Sequence, residues 1–380
     1  MYRYFFPKII NKLSFFSKVK FTIKGLSINV KTDLFKLLEI YPTDTFYFPQ
    51  VKDLTGKTNE NFNSYSCQIP SQYILCIPKG KCILGKEEVF TRNNRVIKEI
   101  TSQKNNPLLG SMLQLYPTKR IKGSVVNLSL SGLEKNYYHF TTELLLRFHL
   151  LRKANINPDF YIVDNSLLFQ KELLKLLKIP EYKILTIDSS YQVIQATTLY
   201  TTSLINNWEY CYFNNVIHYQ KQWLPKWNKD LYEDLKKNNT SLIKNYNCPN
   251  IYISRNHGTK RTIENEEELL FILKSYNFKI LYLEELSILE QISYFAHAKI
   301  IIAPHGAGLV NLNYCKKGTV ILELFPQFYH DASFKLLAFQ NSLIYNYAIC
   351  KTSFPTKNPT EDNINVDINQ LKKFLINYGG

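Results

Sequence analysis

Apolar residues recur along this chain on two different periods, and the changes between them mark out the elements. Residues 71–98 carry short apolar runs, Tyr73-Ile74-Leu75-Cys76-Ile77, Cys82-Ile83-Leu84 and Val89-Phe90, divided by Pro78, Gly80 and Gly85. That pattern predicts a meander of short strands. Ser124 to Leu130 predicts a further strand, and Glu134 to Phe148 leads into an amphipathic helix. Strand signals at Phe160 to Val163, Lys183 to Ile187 and Val193 to Tyr200, with a helix at Leu167 to Leu177, then predict parallel pairing.

A segment rich in Trp, Tyr, Lys and Asn, from Trp208 to Asn247, interrupts the alternation and predicts a domain boundary. Beyond it come strand Ile251 to Ile253, helix Glu266 to Tyr276, strand Lys279 to Leu283 and helix Ile288 to Ala296. Asn265 with Glu268 suits a capping box for the first of these helices. Lys299 to Ala303 is a β-branched apolar run of the kind a strand buried on both faces needs, and Val320 to Leu324 repeats it. Between them Gly306 and Gly308 predict a tight turn into a helix whose amides can approach an anion. Helix Ala332 to Phe339, a strand near Leu343 to Tyr347 and a helix near Ile368 to Ile376 follow.

The expected architecture is α/β, with two Rossmann-like doubly wound domains facing each other across a cleft. Residues 1–60 form an N-terminal basic and aromatic extension, 61–235 a first α/β domain and 236–380 a second, its last helix free to pack back on the first domain. At 380 residues the chain exceeds what one core usually organises.

Charge changes this picture only a little. A net charge of +16 favours anionic partners, yet the lysines are dispersed and no nucleic-acid-reading module accompanies them, so no nucleic-acid partner is expected. Seven widely spaced cysteines without a C-x-x-C pair suggest reduced thiols, and with them a cytoplasmic location. No run reaches the roughly 18 apolar residues of a membrane span. Residues 1–24 mix rings with cations, which suits a peripheral helix at the inner face of a membrane as well as an ordinary packed one.

The candidate chemistry gathers at strand ends. Gly80 to Lys86 has the spacing of a phosphate-binding P-loop, but Glu87 stands where a hydroxyl is needed and no helix follows, so the match is coincidental. In open α/β sheets ligands bind beyond the carboxyl ends of the strands. Those ends deliver Ser254, Arg255 and Arg261; His305, Gly306, Ala307 and Gly308; and Glu323. Two arginines, a glycine turn and one carboxylate match a nucleoside diphosphate, with cations and amides for phosphate and an acceptor for ribose.

Taken together, Asn136-Tyr137-Tyr138-His139 with Glu143 and Arg147, Ser254-Arg255 with Arg261 and Asn265-Glu266, Glu290-Gln291, His305-Gly306-Ala307-Gly308 with Asn311, and Glu323-Leu324 resemble glycosyltransferase family 61. The family includes plant xylosyl- and arabinosyltransferases, animal N-acetylglucosaminyltransferases and many bacterial polysaccharide enzymes. The resemblance is strongest in kind to the bacterial capsule and lipopolysaccharide members. It implies a GT-B-like fold with 61–235 as the acceptor-side domain and 236–380 as the nucleotide-sugar-binding domain, and inverting, metal-independent transfer from a nucleotide sugar, most simply UDP-linked, to a glycan or glycolipid acceptor, with no cofactor. It assigns Arg255, Arg261, His305, Gly306, Ala307, Gly308, Asn311 and Glu323 to the nucleotide sugar. Asn136, Tyr138, Arg147 and Gln291 take acceptor-side or supporting places. Either His139 or Glu143, one helical turn apart, could serve as the base while the other orients it.

Plainer readings stand beside these. His139 also suits a core histidine, Glu143 a helix-face ion pair, Glu323 a strand-end carboxylate and His305 a brace for the turn. Asn136, Asn311 and Gln291 suit structural roles. An esterase using the His-Gly-Ala-Gly turn as an oxyanion hole is the rival from another class, but no Gly-x-Ser-x-Gly elbow occurs. A catalytically silent nucleotide-binding partner in polysaccharide assembly is the other.

Overall fold

The computed structural model describes residues 26–378, apart from residues 31, 101–115, 188–191, 206–208, 214–215 and 222–223. The peripheral helix expected in residues 1–24 lies outside the described residues. Two sheets carry an α/β fold. The first has eight strands, with the central order Lys36–Tyr41, Gln72–Pro78, Val193–Thr202, Thr118–Asn127, Phe160–Ile162 and Ile184–Leu185. The last four run parallel, while Lys36–Tyr41, Gln72–Pro78, Lys81–Ile83 and Val89–Phe90 are joined to the sheet by antiparallel pairing. This half is therefore mixed, not doubly wound. Gln72–Pro78 and Lys81–Ile83 run one after the other along Val193–Thr202, broken at Lys79-Gly80, and the short link from Lys81–Ile83 to Val89–Phe90 leaves no room for a crossover helix, so that pair is antiparallel.

The second sheet meets the expectation of parallel pairing. Its order is Phe278–Leu281, Asn250–Ile253, Ile300–Pro304, Val320–Phe325 and Ile344–Ile349, all parallel. Every residue of Ile300–Pro304 and Val320–Phe325 is buried, as their continuous apolar runs require.

Two helix starts differ from the sequence pattern. Asn265 makes no cap bond; its side chain instead accepts from the Val366 amide and donates to the Val366 carbonyl, both at 2.9 Å. The capping box sits at Ser287, whose backbone amide donates to Glu290 Oε2 at 2.9 Å while its hydroxyl accepts from the Glu290 amide. The glycine turn opens into a 3₁₀ helix, Ala307–Tyr314, not an α-helix.

One apolar cluster runs through both halves, joining Val126, Leu145 and Phe148 to Ile251, Leu309, Val310 and Phe334. Residues 51–65 lie against the second sheet: Phe62 stacks on Tyr347 with centroids 3.9 Å apart, and Lys335 donates to the Phe62 carbonyl at 2.9 Å. The last helix, Ile368–Tyr378, does not pack back on the first half. Leu371, Phe374 and Leu375 bury themselves against Leu269, Leu273 and Leu322 of the second. Among the described residues no helix is long and apolar enough to cross a membrane.

Candidate functional site

The strand Asn250–Ile253 ends in Ser254 and Arg255, and the loop beyond is anchored from below. Hydroxyls of Tyr252 and Ser254 donate to Glu266 Oε1 at 2.6 and 2.8 Å, fixing where Arg255 emerges. Arg255 donates from Nε to the Lys260 carbonyl at 3.2 Å. Burial and the neighbouring Arg261 bring its pKa down to about 10. Arg261 adopts the left-handed region, φ 56°, which a residue with a side chain occupies at a cost of about 1–3 kcal/mol. Its Nη1 donates to the Thr360 carbonyl at 2.6 Å, its guanidinium stands 5.9 Å from the Tyr329 ring centre, and its buried Nε has no partner. Burial lowers its pKa as well. Neither arginine forms an ion pair among the described residues.

The two glycines of the turn are required for space rather than for backbone conformation. A Cβ at Gly306 would lie 2.1 Å from Arg255 Nη1, and one at Gly308 would lie 2.5 Å from Leu283 Cδ1. Gly306 is extended, with φ 173°, so any residue could adopt its backbone. Thus the surface that the sequence pattern reserves for an anion carries a guanidinium laid against the turn. Beside it opens a pocket of about 310 Å³ between the loop Ser254–Gly258, the turn at Leu283 and Glu284, and Ala303 to Leu309.

His305 and Glu323 belong to the wall behind that pocket. Parallel register sets Glu323 opposite Ala303, and its carboxylate is fully buried. Oε1 lies 2.5 Å from His305 Nδ1, and Oε2 accepts from the Tyr345 hydroxyl at 2.5 Å. Burial drives the Glu323 pKa well above the carboxylate range. The same burial, followed by the charges of Arg261 and Arg255, drives His305 well below the imidazole range. With both oxygens engaged inside the domain, Glu323 is not arranged to receive ribose hydroxyls; it holds the His305 ring.

Across from the turn, residues 137–153 form a helix with an internal π segment, Phe140–Leu144. Asn136 caps it by accepting from the Tyr138 amide at 2.9 Å. The bulge has a local cause: Thr141 and Thr142 hydroxyls donate to the carbonyls of Tyr137 and Tyr138 at 2.6 and 2.8 Å, competing with the regular ladder. Such bulges are frequent at functional sites. Here the bulge spans Glu143, whose Oε1 sits 2.5 Å from His139 Nδ1. Glu143 is buried, and the His139 side chain keeps 19% of its surface exposed, so the imidazole is the outer member of the pair.

Hydrogen bonds and rings tie this helix to the second half. The Tyr137 hydroxyl donates to Asn311 Oδ1 at 2.7 Å, and Asn311 donates to Gln291 Oε1 at 2.8 Å. Phe334 lies between the rings of Tyr138 and His305, at 5.8 and 5.3 Å. Asn311, assigned to the nucleotide on sequence grounds, is fully buried in this strut. Arg147 is also interior: it donates to Glu87 Oε1 at 3.1 Å and to the Ser129 carbonyl at 3.2 Å.

A family model described as Glycosyltransferase 61 matches residues 137–322. Residues 137–322 are similar to glycosyltransferase family 61. No curated protein matches it. The family 61 match begins at the helix that carries His139 and ends one residue before Glu323, so it takes in the base candidates, both arginines and the glycine turn.

Within this family 61 site, the sequence reading missed His257, Tyr282 and Glu284. His257 and Glu284 line the pocket, and the His257 ring stacks on Tyr282 with centroids 4.0 Å apart and planes 7° apart. The available signal was position: Tyr282 and Glu284 follow the carboxyl end of Phe278–Leu281, an end the strand-end rule covers equally. The buried partner Tyr345 had no such signal, because an aromatic residue in a strand reads as core.

Proposed function

We propose that this glycosyltransferase moves a sugar, with inversion, from a nucleoside-diphosphate sugar to a hydroxyl of a glycan or glycolipid acceptor. One observation carries the donor class: Arg255 and Arg261 are half-buried and form no ion pair among the described residues, and Arg255 lines a pocket at strand carboxyl ends. The charge of Arg261 lowers the Arg255 pKa, and that repulsion is relieved when a diphosphate lies between the two guanidiniums. The same pair neutralises the charge that grows on the leaving nucleotide as the sugar bond breaks.

Inversion requires deprotonation of the acceptor hydroxyl on the face opposite the leaving group. His139 is the base in this reading and Glu143 its positioning residue. A carboxylate at Nδ1 holds that nitrogen protonated, which leaves Nε2 as the proton acceptor and stabilises the imidazolium formed during transfer.

Thermal melts of the full chain with UDP, GDP, CDP and ADP test the donor class. A true ligand at about 100 times its dissociation constant adds about 2.7 kcal/mol of stability, and no response to any of the four would remove the reading. Once the responding donor is known, His139→Ala should lower kcat by roughly 10²- to 10⁴-fold with little change in donor KM. Retained turnover in that variant would shift the base elsewhere, and the anomeric configuration of the product, read by NMR, tests inversion directly.

A further inference from the structure

We propose that Glu284 accepts hydrogen bonds from the ribose hydroxyls of the donor, with His257 and Tyr282 forming the ring platform at that end of the pocket. The inference rests on the nucleoside-diphosphate reading above and deepens it.

The pocket carries both signs of charge. Arg255 lies against the Gly306 turn, and Glu284 lines the same pocket beside His257, near enough to Arg255 for the two charges to interact. His257 Nδ1 is 3.0 Å from Glu285 Oε1 and 3.7 Å from Glu284 Oε1, so two carboxylates flank one imidazole over the Tyr282 ring. A carboxylate repels phosphate and accepts from hydroxyls. A ligand lying here is therefore oriented with its anionic end toward Arg255 and its hydroxyl donors toward Glu284. A nucleoside diphosphate carries these groups in that order, with a vicinal diol beyond the phosphates and a flat base beyond the diol. The stacked rings of His257 and Tyr282 supply a flat surface for the base.

The turn bearing Glu284 is held in place before any ligand arrives. Leu283–Glu285 is one 3₁₀ turn, and the Gln291 side-chain amide donates to the carbonyls at both its flanks, Leu283 at 2.9 Å and Leu286 at 3.1 Å. Leu283 is itself packed against Gly308, which fixes the turn relative to the glycine loop. Gln291 thus positions the acceptor carboxylate without touching the ligand. The rival carboxylate, Glu323, is enclosed between His305 and Tyr345.

Titration calorimetry on the full chain, with the best-binding nucleoside diphosphate of the four above and its 2′-deoxy analogue, tests the assignment. Wild type should prefer the ribonucleotide by about tenfold or more, the effect of one hydrogen bond to a charged acceptor. Glu284→Gln should erase most of that preference by weakening the ribonucleotide relative to its 2′-deoxy analogue, while inorganic pyrophosphate binds at least as tightly as to wild type. Glu284 is half exposed, so this variant should melt with wild type. Full ribose preference in Glu284→Gln, or its loss in Glu323→Gln instead, would overturn the inference and leave the donor class standing. Binding of none of the nucleotides by wild type would overturn both.

Discussion

Gly306→Ala separates binding from folding. The added methyl would sit 2.1 Å from Arg255 Nη1, and ordinary contact begins at 3.4 Å, so the guanidinium must retreat by about 1.3 Å. The displaced atom is the tip of a flexible side chain held by one hydrogen bond, at Nε, so the retreat costs the fold little. Gly306 is extended, and removing its freedom in the unfolded chain gains about 0.4–1 kcal/mol. Stability should stay within about 1 kcal/mol of wild type. Phosphate contact should not, because a charge-assisted hydrogen bond moved by more than 1 Å is lost, at about 1.5–3 kcal/mol. The nucleotide dissociation constant should therefore rise about 10- to 150-fold. Gly308→Ala is the comparison, since its methyl would press on Leu283 Cδ1 and leave Arg255 untouched. Calorimetry of nucleotide binding beside urea unfolding reads both quantities. Wild-type affinity in Gly306→Ala would show that Arg255 does not hold the diphosphate. Loss of folding would show that the guanidinium cannot retreat and that the space argument is wrong.

Two further predictions concern the scaffold. Arg147→Met removes the cation facing buried Glu87 and should cost about 3–5 kcal/mol in urea unfolding, with any activity loss following the loss of folded protein. His149 is buried between Tyr41 and Trp227, accepting or donating at 3.0 Å to the Tyr41 hydroxyl, and burial brings its pKa down to about 4. A histidine held below its unfolded value of about 6.5 contributes stability that is complete above that pH and is lost as pH falls through 4. Urea midpoints measured from pH 7 to pH 4 should therefore fall more steeply in wild type than in His149→Phe, by up to about 3 kcal/mol, and parallel curves would refute the assignment.

The second sheet was legible because each of its strands is a short apolar run set between helical periods, and such a pattern has few solutions besides parallel pairing. The first was legible only in part. Its strands were found, but pairing partners depend on long-range closure, and nothing in residues 71–98 announces that this meander joins the parallel strands. Site residues divide on a similar line. His139, Glu143, Arg255, Arg261 and the glycine turn are polar or small residues at positions where an apolar pattern breaks, and breaks are visible. Glu323 breaks the pattern equally, yet it faces His305 and Tyr345 because a strand residue's direction is fixed by sheet register, which a single sequence does not display. Glu284 was hidden among neighbouring acids, Glu285 beside it, where one carboxylate looks like any solvated other.

Gln291 joins the two ends of the proposed reaction. Its amide nitrogen holds the turn that carries Glu284, and its amide oxygen accepts from Asn311, which in turn accepts from the Tyr137 hydroxyl. Tyr137 is two residues from His139, in the turn that the Thr141 and Thr142 hydroxyls distort. A continuous path of hydrogen bonds thus runs from the turn that carries Glu284 to the helix that carries His139, all within the residues that match family 61. Asn311 and Gln291 are fully or nearly fully enclosed, where an unpaired amide costs about 1–3 kcal/mol, so the path favours one arrangement over graded ones. On this stretch Tyr137 reaches Asn311 just before the π segment, and His139 and Glu143 pair across its start. In the proposed reaction, the distance between His139 and the leaving group is then set by the interior of the molecule, and the pocket walls need only hold the donor.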